Sequence, residues 1–284
     1  MKTFILLLCV VFTTSASALD LPANLSDQGP QNGLLDDSSR NFNYDFEGII
    51  KLSNCSGSLI KFSGQPDTSK AYVLTNGHCV QKSGGYLEPG EVWFNKPMKR
   101  KMEVFTKDMN LFTVNATKIS YATMTGTDSA IYQLKETYKD ISKYGIEPFL
   151  LDANHPIIGT SIDIVSGYWD RGYRCFIDGF VFELLEGDWT FTDSIRFSNM
   201  GCKTKGGTSG SPITQTDTRV VIGVNNTGNM QGKRCTLSNP CENDADGNIT
   251  VRRRSYGQQT YHFSTCLTPD FKIDLKIPGC LLPK

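Results

Sequence analysis

The chain carries no surplus of either charge: 29 lysine and arginine residues balance 29 aspartate and glutamate. Without a basic excess there is no electrostatic case for a nucleic acid or an anionic membrane as partner. Beyond the first twenty residues no apolar run approaches the length needed to cross a bilayer. No CxxC pair occurs among the cysteines, which argues against a zinc site, and neither a metal nor a cofactor is expected. Internal repeats are missing apart from two similar strand-rich halves. Histidine is scarce, with only three in 284 residues, so each can be weighed as a candidate base.

What the chain does have is glycine (26), phenylalanine (16) and tyrosine (11), set in many short apolar runs. That texture favours an all-β fold, and the length allows one large domain or two small ones with ample core. Lys2, the apolar run Ile5 to Phe12 and the small residues Ala16-Ser17-Ala18 have the order of an export signal, expected at 1–18. The product is then expected to be secreted and soluble. Removing Cys9 with that segment leaves eight of nine cysteines, an even number that in an exported chain points to as many as four disulfides.

Residues 19–44 are polar and turn-rich and read as a linker or pro-segment. From about Phe46 short strands alternate with turns: Gly48 to Leu52, Ser58 to Phe62, Ala71 to Thr75, Glu91 to Phe94, Lys101 to Phe105, Asn115 to Ser120 and Ser129 to Leu134. A second series comprises Ser161 to Val165, Gly179 to Leu185, Ser194 to Phe197, Val220 to Val224 and Thr260 to Phe263. Such spacing predicts antiparallel barrels or sandwiches. Lys135 to Pro156 is the expected connection, with a helical turn at Tyr138 to Tyr144.

The chemistry-bearing stretch is Gly206-Gly207-Thr208-Ser209-Gly210-Ser211-Pro212. Glycines on both sides permit a tight turn with bare N–H groups, where a serine can attack a carbonyl while the amides hold the oxyanion. His78 closes Leu74-Thr75-Asn76-Gly77-His78-Cys79, a strand end suited to a general base. His155, between Asn154 and Pro156, reads as a surface residue, and His262, beside Tyr261 and Phe263, as strand packing. Asp128 opens the apolar stretch Ser129 to Leu134 and is the carboxylate best placed to orient an imidazole; Asp108, Asp152 and Asp163 have poorer context.

These motifs resemble the chymotrypsin/trypsin-like serine peptidase family. Cys55-Ser56-Gly57-Ser58-Leu59 is similar to its Cys-x-Gly-(Ser/Thr)-Leu strand, and Leu74 to Cys79 to its Leu-Thr-Ala-Ala-His-Cys. Asp128-Ser129-Ala130-Ile131 is similar to Asp-Ile-Ala-Leu, and Gly207 to Pro212 to Gly-Asp-Ser-Gly-Gly-Pro. The resemblance implies two antiparallel β-barrels, at 45–140 and 141–284, with the active site between them. It implies Ser209 as nucleophile, His78 as base, Asp128 as orienting carboxylate, and the N–H groups of Gly207 and Ser209 as oxyanion hole. It also implies a Cys55–Cys79 disulfide and a specificity pocket lined by Thr204, Asn225 and Asn226. The function implied is a secreted, monomeric endopeptidase acting on protein or peptide substrates; the alternative is an inactive homologue that binds through the same cleft.

The chain departs from that family in several places. Thr208 stands where trypsin-like enzymes place the aspartate that pairs with a new N-terminus, and no Arg/Lys-Ile-Val-Gly-Gly site precedes the domain. Around the nucleophile, Thr204 to Pro212 is closer to the bacterial glutamyl-endopeptidase-like branch, although Asn225 replaces its pocket histidine. Lys203 falls at the pocket-base position, which disfavours basic substrate side chains. Cys175–Cys202 is a further expected disulfide, while Cys235, Cys241, Cys266 and Cys280 allow three pairings. An insert is expected near 229–258. Its segment Glu242 to Asn248 reads as an Asx/Gly turn with partial likeness to a calcium loop, and Arg252-Arg253-Arg254 as a solvated face.

Overall fold

The computed structural model describes residues 43–284; the expected signal peptide at 1–18 and all but the last two residues of the expected linker lie outside the described residues. Strand burial falls into two regimes. Ser56–Lys61 and Lys70–Thr75 are buried on both faces, because one face fills the interior of a strand ring and the other packs against the rest of the chain. The longer Val92–Phe105 keeps exposed positions over much of its length, as expected where one face meets water.

Six strands come first: β1 (Ile49–Lys51), β2 (Ser56–Lys61), β3 (Lys70–Thr75), β4 (Val92–Phe105), β5 (Leu111–Thr123) and β6 (Ser129–Thr137). Their antiparallel pairings run β1–β4–β5–β6–β3–β2 and return to β1, so the ring closes on itself. Helix α1 (Tyr138–Ser142) follows, capped by Thr137, whose side chain accepts from Asp140 N–H while the Asp140 carboxylate accepts from Thr137 N–H. Then β7 (Phe149–Leu151) runs parallel to β2 on one side and to β12 on the other. The expected connection thus contains a strand that joins the two halves.

The second series is β8 (Ser161–Ser166), β9 (Arg171–Glu186), β10 (Trp189–Phe197), β11 (Pro212–Gln215), β12 (Val220–Gly228), the short pair β13 (Cys241–Asn243) and β14 (Ile249–Thr250), and β15 (Ser255–Gln259). Here β12–β11–β8–β9–β10–β15 closes through β12–β15. Closure leaves no bare strand edge within either ring. One core fills the first ring around Leu59, Val73, Val104 and Tyr132, and another fills the second around Ile164, Tyr173, Phe197 and Ile213. A third, with Ile60, Leu74, Tyr121, Val221 and Phe263, takes residues from both halves and from the C-terminal segment.

Several expectations are corrected. Glu91 to Phe94 and Lys101 to Phe105 are one strand, and Thr260 to Phe263 is not a strand. Tyr261–Cys266 is a 3-10 helix holding His262, because Cys266 is pinned to Cys280 and the chain turns away from the ring after Gln259. The last residues of the expected insert near 229–258 fall in β15, an integral ring strand. The disulfides are Cys55–Cys79, Cys175–Cys202, Cys235–Cys241 and Cys266–Cys280, which selects one of the three open pairings. Asp244 accepts from the N–H groups of Asp246 and Asn248, closing an Asx turn.

The Cys55–Cys79 link spans 24 residues of sequence. On a chain-entropy argument, replacing both cysteines by alanine lowers stability by about 3 kcal/mol, read as a fall in the urea midpoint against the parent chain.

Candidate active site

Strand β3 runs into the turn Asn76-Gly77-His78, and the turn is pressed against the end of β5. A Cβ at Gly77 would lie 2.0 Å from the Thr123 carbonyl oxygen, so no larger residue fits. Asn76 Nδ2 donates to the Asp128 carbonyl (2.7 Å) and His78 N–H to Asp128 Oδ1 (3.0 Å). The His78 Nδ1–H then donates to Asp128 Oδ2 at 2.6 Å. Asp128 is only 1% exposed, and both its carboxylate oxygens are committed to His78. Behind the turn, the guanidinium of Arg100 donates to the carbonyl of Cys79 (2.8 Å), to Asn54 Oδ1 (2.8 Å) and to the Tyr132 hydroxyl (3.2 Å). Imidazole and carboxylate are therefore held by backbone, disulfide and a buried cation.

Ser209 comes from the connection between β10 and β11. Ser56 N–H, at the start of β2, donates to the Ser209 carbonyl (2.8 Å), and Gly210 N–H donates to the Asn225 carbonyl (2.9 Å). A Cβ on Gly210 would lie 2.1 Å from the Ser56 carbonyl oxygen and 2.2 Å from Thr75 Oγ1, and its φ of +84° is in the region that favours glycine. The first ring is thereby seated directly on the serine turn. A register shift in β12 between Asn225 and Thr227 leaves Asn226 unpaired with β15, and its carbonyl accepts the Ser209 hydroxyl (3.0 Å). The hydroxyl is turned to that carbonyl and not to His78.

His78, Asp128, Ser209, Thr204, Asn225 and Asn226, all named from sequence, line one cavity of about 220 Å³. Lys203 does not; it is exposed and absent from the cavity wall among the described residues, which corrects its assignment to the pocket base. The rival carboxylates go elsewhere: Asp163 pairs with Arg174 (2.6 Å), and Asp152 caps a turn at Asn154. His155 hydrogen-bonds Asp193 (3.0 Å), away from the cavity. Cys55 and Cys79 lie beside His78 but are bonded to each other, so they offer no thiolate to a metal.

Three features escaped the sequence reading. Glu186, at the end of β9, lines the same cavity. Trp169, in the turn after β8, donates from its indole N–H to the Gly206 carbonyl (2.7 Å). Tyr173 places its hydroxyl 3.5 Å from that of the buried Thr208. For Glu186 the local signal was its place, with Trp189, flanking the Gly187-Asp188 turn; where the hairpin reaches is not a local property.

Burial works to lower the pKa of His78, but the charge of Asp128 and its hydrogen bond outweigh this, with Glu186 adding to them, and the net shift is upward. Removing the anion removes most of the raising influence while leaving the desolvation. In Asp128→Asn the His78 imidazole is expected to titrate below its value in the parent chain, followed by NMR of the ring nitrogens; an unchanged midpoint would contradict the assigned cause.

A model of the trypsin-like peptidase domain matches residues 55–224. No curated protein matches. Among solved structures, the MamO protease domain of Magnetospirillum magneticum, apo form, is similar at 12% identity and a TM-score of 0.46, covering 76% of this chain and 93% of that one. Nocardiopsis protease is similar at 13% identity and 0.43, covering 76% and 92%. The Rv3671c protease of Mycobacterium tuberculosis, inactive form, is similar at 15% identity and 0.42, covering 76% and 85%. With more than half of its length under the family model, the chain belongs to the trypsin-like peptidase domain family and is by class a serine endopeptidase.

Proposed function

We propose that this chain hydrolyses peptide bonds through an acyl-enzyme, with Ser209 as nucleophile, His78 as general base and then acid, and Asp128 as the group that orients and charge-compensates the imidazole. The observation that carries this is the 2.6 Å bond from His78 Nδ1 to the buried Asp128 carboxylate, in a cavity shared with Ser209. With Nδ1–H committed, Nε2 is left as the acceptor for the serine proton. The Ser209 hydroxyl donates to the Asn226 carbonyl and must turn from it to meet Nε2; catalytic hydrogen bonds commonly tighten only when substrate binds.

The oxyanion hole is assigned to the N–H groups of Gly207 and Ser209, which donate to no other group among the described residues. In a trans peptide the C=O and N–H point in opposite directions. The Gly206 carbonyl is held on Trp169, which turns the Gly207 N–H away from Trp169. The next carbonyl, of Gly207, accepts from Ser56 Oγ (3.1 Å). A Cβ on Gly207 would lie 2.6 Å from the Tyr168 ring, so the same turn closes over both residues. Trp169 is thus a positioning residue for the hole.

Thr208 takes the place of the activating aspartate and faces a neutral partner, Tyr173, which supports activity without an N-terminal ion pair. The export reading rests on Lys2, Ile5 to Phe12 and Ala16-Ser17-Ala18, together with four disulfides. The triad comes from a single chain, so the chemistry needs no second copy. Likeness to the glutamyl-endopeptidase-like branch is carried by Thr204 to Pro212 alone. The alternative of an inactive homologue is favoured by one observation, the Ser209 hydroxyl bonded to Asn226 in place of His78.

A neutral fluorophosphonate separates the two. The active reading expects covalent labelling at Ser209, mapped by peptide mass, and its loss in Ser209→Ala; an unlabelled parent chain would leave the binding homologue standing. Trp169→Phe keeps the ring but deletes the donor. It is expected to lower kcat about tenfold, less than direct loss of a hole donor, with KM held within about twofold; equal falls in kcat and folded fraction would reduce Trp169 to a packing role.

A further inference from the structure

The β9–β10 hairpin brings into the cleft a carboxylate that the mechanism above does not use. Glu186 is 7% exposed. Its Oε1 accepts from the Thr227 hydroxyl (2.9 Å) and from Ser238 N–H (2.7 Å). Both partners are neutral, and no cation pairs with Glu186 among the described residues. Lys205, on the same cavity, stands instead over the Trp169 ring at 3.9 Å. Oε2 makes no hydrogen bond among the described residues and is not fully buried, and Glu186 lines the cavity.

A carboxylate taken out of water without a counter-charge is unfavourable, and its pKa rises. That is the state of Glu186: burial pushes it up, the Asp128 charge adds to this, and the Thr227 and Ser238 hydrogen bonds and the neighbouring His78 offset only part. A glutamine would make the same two contacts without that cost. Part of the cavity wall is apolar, with Tyr86 and Trp189 set edge to face at 6.0 Å and Met124 and Phe191 on the same lining. With both Asp128 oxygens held by His78, Glu186 is the buried anion left to meet a ligand, and an apolar stretch of wall beside it complements a long aliphatic stem ending in a cation. The volume, about 220 Å³, suits a side chain more than a whole small-molecule ligand.

We propose that Glu186 is a specificity-determining residue that receives the ammonium or guanidinium of a substrate lysine or arginine close to the scissile bond. This rests on the endopeptidase reading and names the substrate class of that same cleft. It reverses the preference expected from Lys203, whose side chain does not reach the cavity wall.

The test is a positional peptide library in which each arginine peptide has a citrulline twin, equal in shape but uncharged. The parent chain is expected to cleave arginine peptides at least about tenfold better in kcat/KM than their twins at one position near the bond, and Glu186→Gln to remove most of that ratio. Absence of a charge preference in the parent chain overturns the proposal, as does a ratio that survives Glu186→Gln. If Glu186 served only to anchor the segment around Ser238, its substitution would shift thermal stability and leave the ratio intact. Labelling of Ser209 is read in parallel. Should the parent chain fail to label, the catalytic reading falls by itself. The charge question is then decided by the Kd of each twin, by fluorescence anisotropy on the parent and Glu186→Gln chains, and equal affinities overturn it.

Discussion

The structure turns on the seam where the first ring meets the serine turn. Ser56 N–H holds the Ser209 carbonyl at 2.8 Å, Thr75 Oγ1 holds the Ser56 carbonyl at 2.7 Å, and Gly210 has no side chain to part them. Thr75 is also the last residue of the strand that delivers His78. The same few atoms therefore set the positions of His78 and Ser209 relative to each other. Hydrogen bonds of this kind are worth only about 1 kcal/mol each in net stability; their importance here is geometric, since an error of an ångström at a reacting pair costs far more in rate than in folding.

The charges around the seam are arranged with economy. Asp128 spends both oxygens on His78, by backbone and by ring, which fixes the tautomer and favours the imidazolium. Where trypsin-like enzymes use a second buried ion pair to set the serine turn, this chain uses the hydroxyls of Thr208 and Tyr173 and the Trp169 bond to Gly206. Neutral contacts avoid the desolvation that a buried ion pair incurs. Against this background Glu186 stands out as the buried carboxylate of the cleft with neutral partners only.

Much of this was legible in the sequence, because the relevant signals are local. The turn glycines, the strand ends beside His78 and Asp128 and the even cysteine count can be read without knowing what lies opposite. The division into two strand series, and Cys55–Cys79 with Cys175–Cys202, agree with the observed pairings. The reading broke down where a residue's role depends on reach. Lys203 was one position along a motif from the pocket and turned outward, while Glu186 and Trp169 lie far in sequence from Ser209 and were carried in by hairpin and turn. His262 was misread as a strand residue because an apolar alternation does not reveal that Cys266, tied to Cys280, draws the chain into a 3-10 turn.

By itself the sequence determined the chemistry on offer: a serine between glycines, one histidine at a strand end, one aspartate at a strand start, and the backbone conformations their flanking residues allow. These are properties of neighbours along the chain, set by sterics and hydrogen bonding over a few residues. The tertiary structure alone decided which side chains share the cavity, which way the Ser209 hydroxyl points, and which charges line the cavity. Those depend on the closure of two strand rings and on the bulge in β12, where contacts between residues scores of positions apart outweigh any local preference.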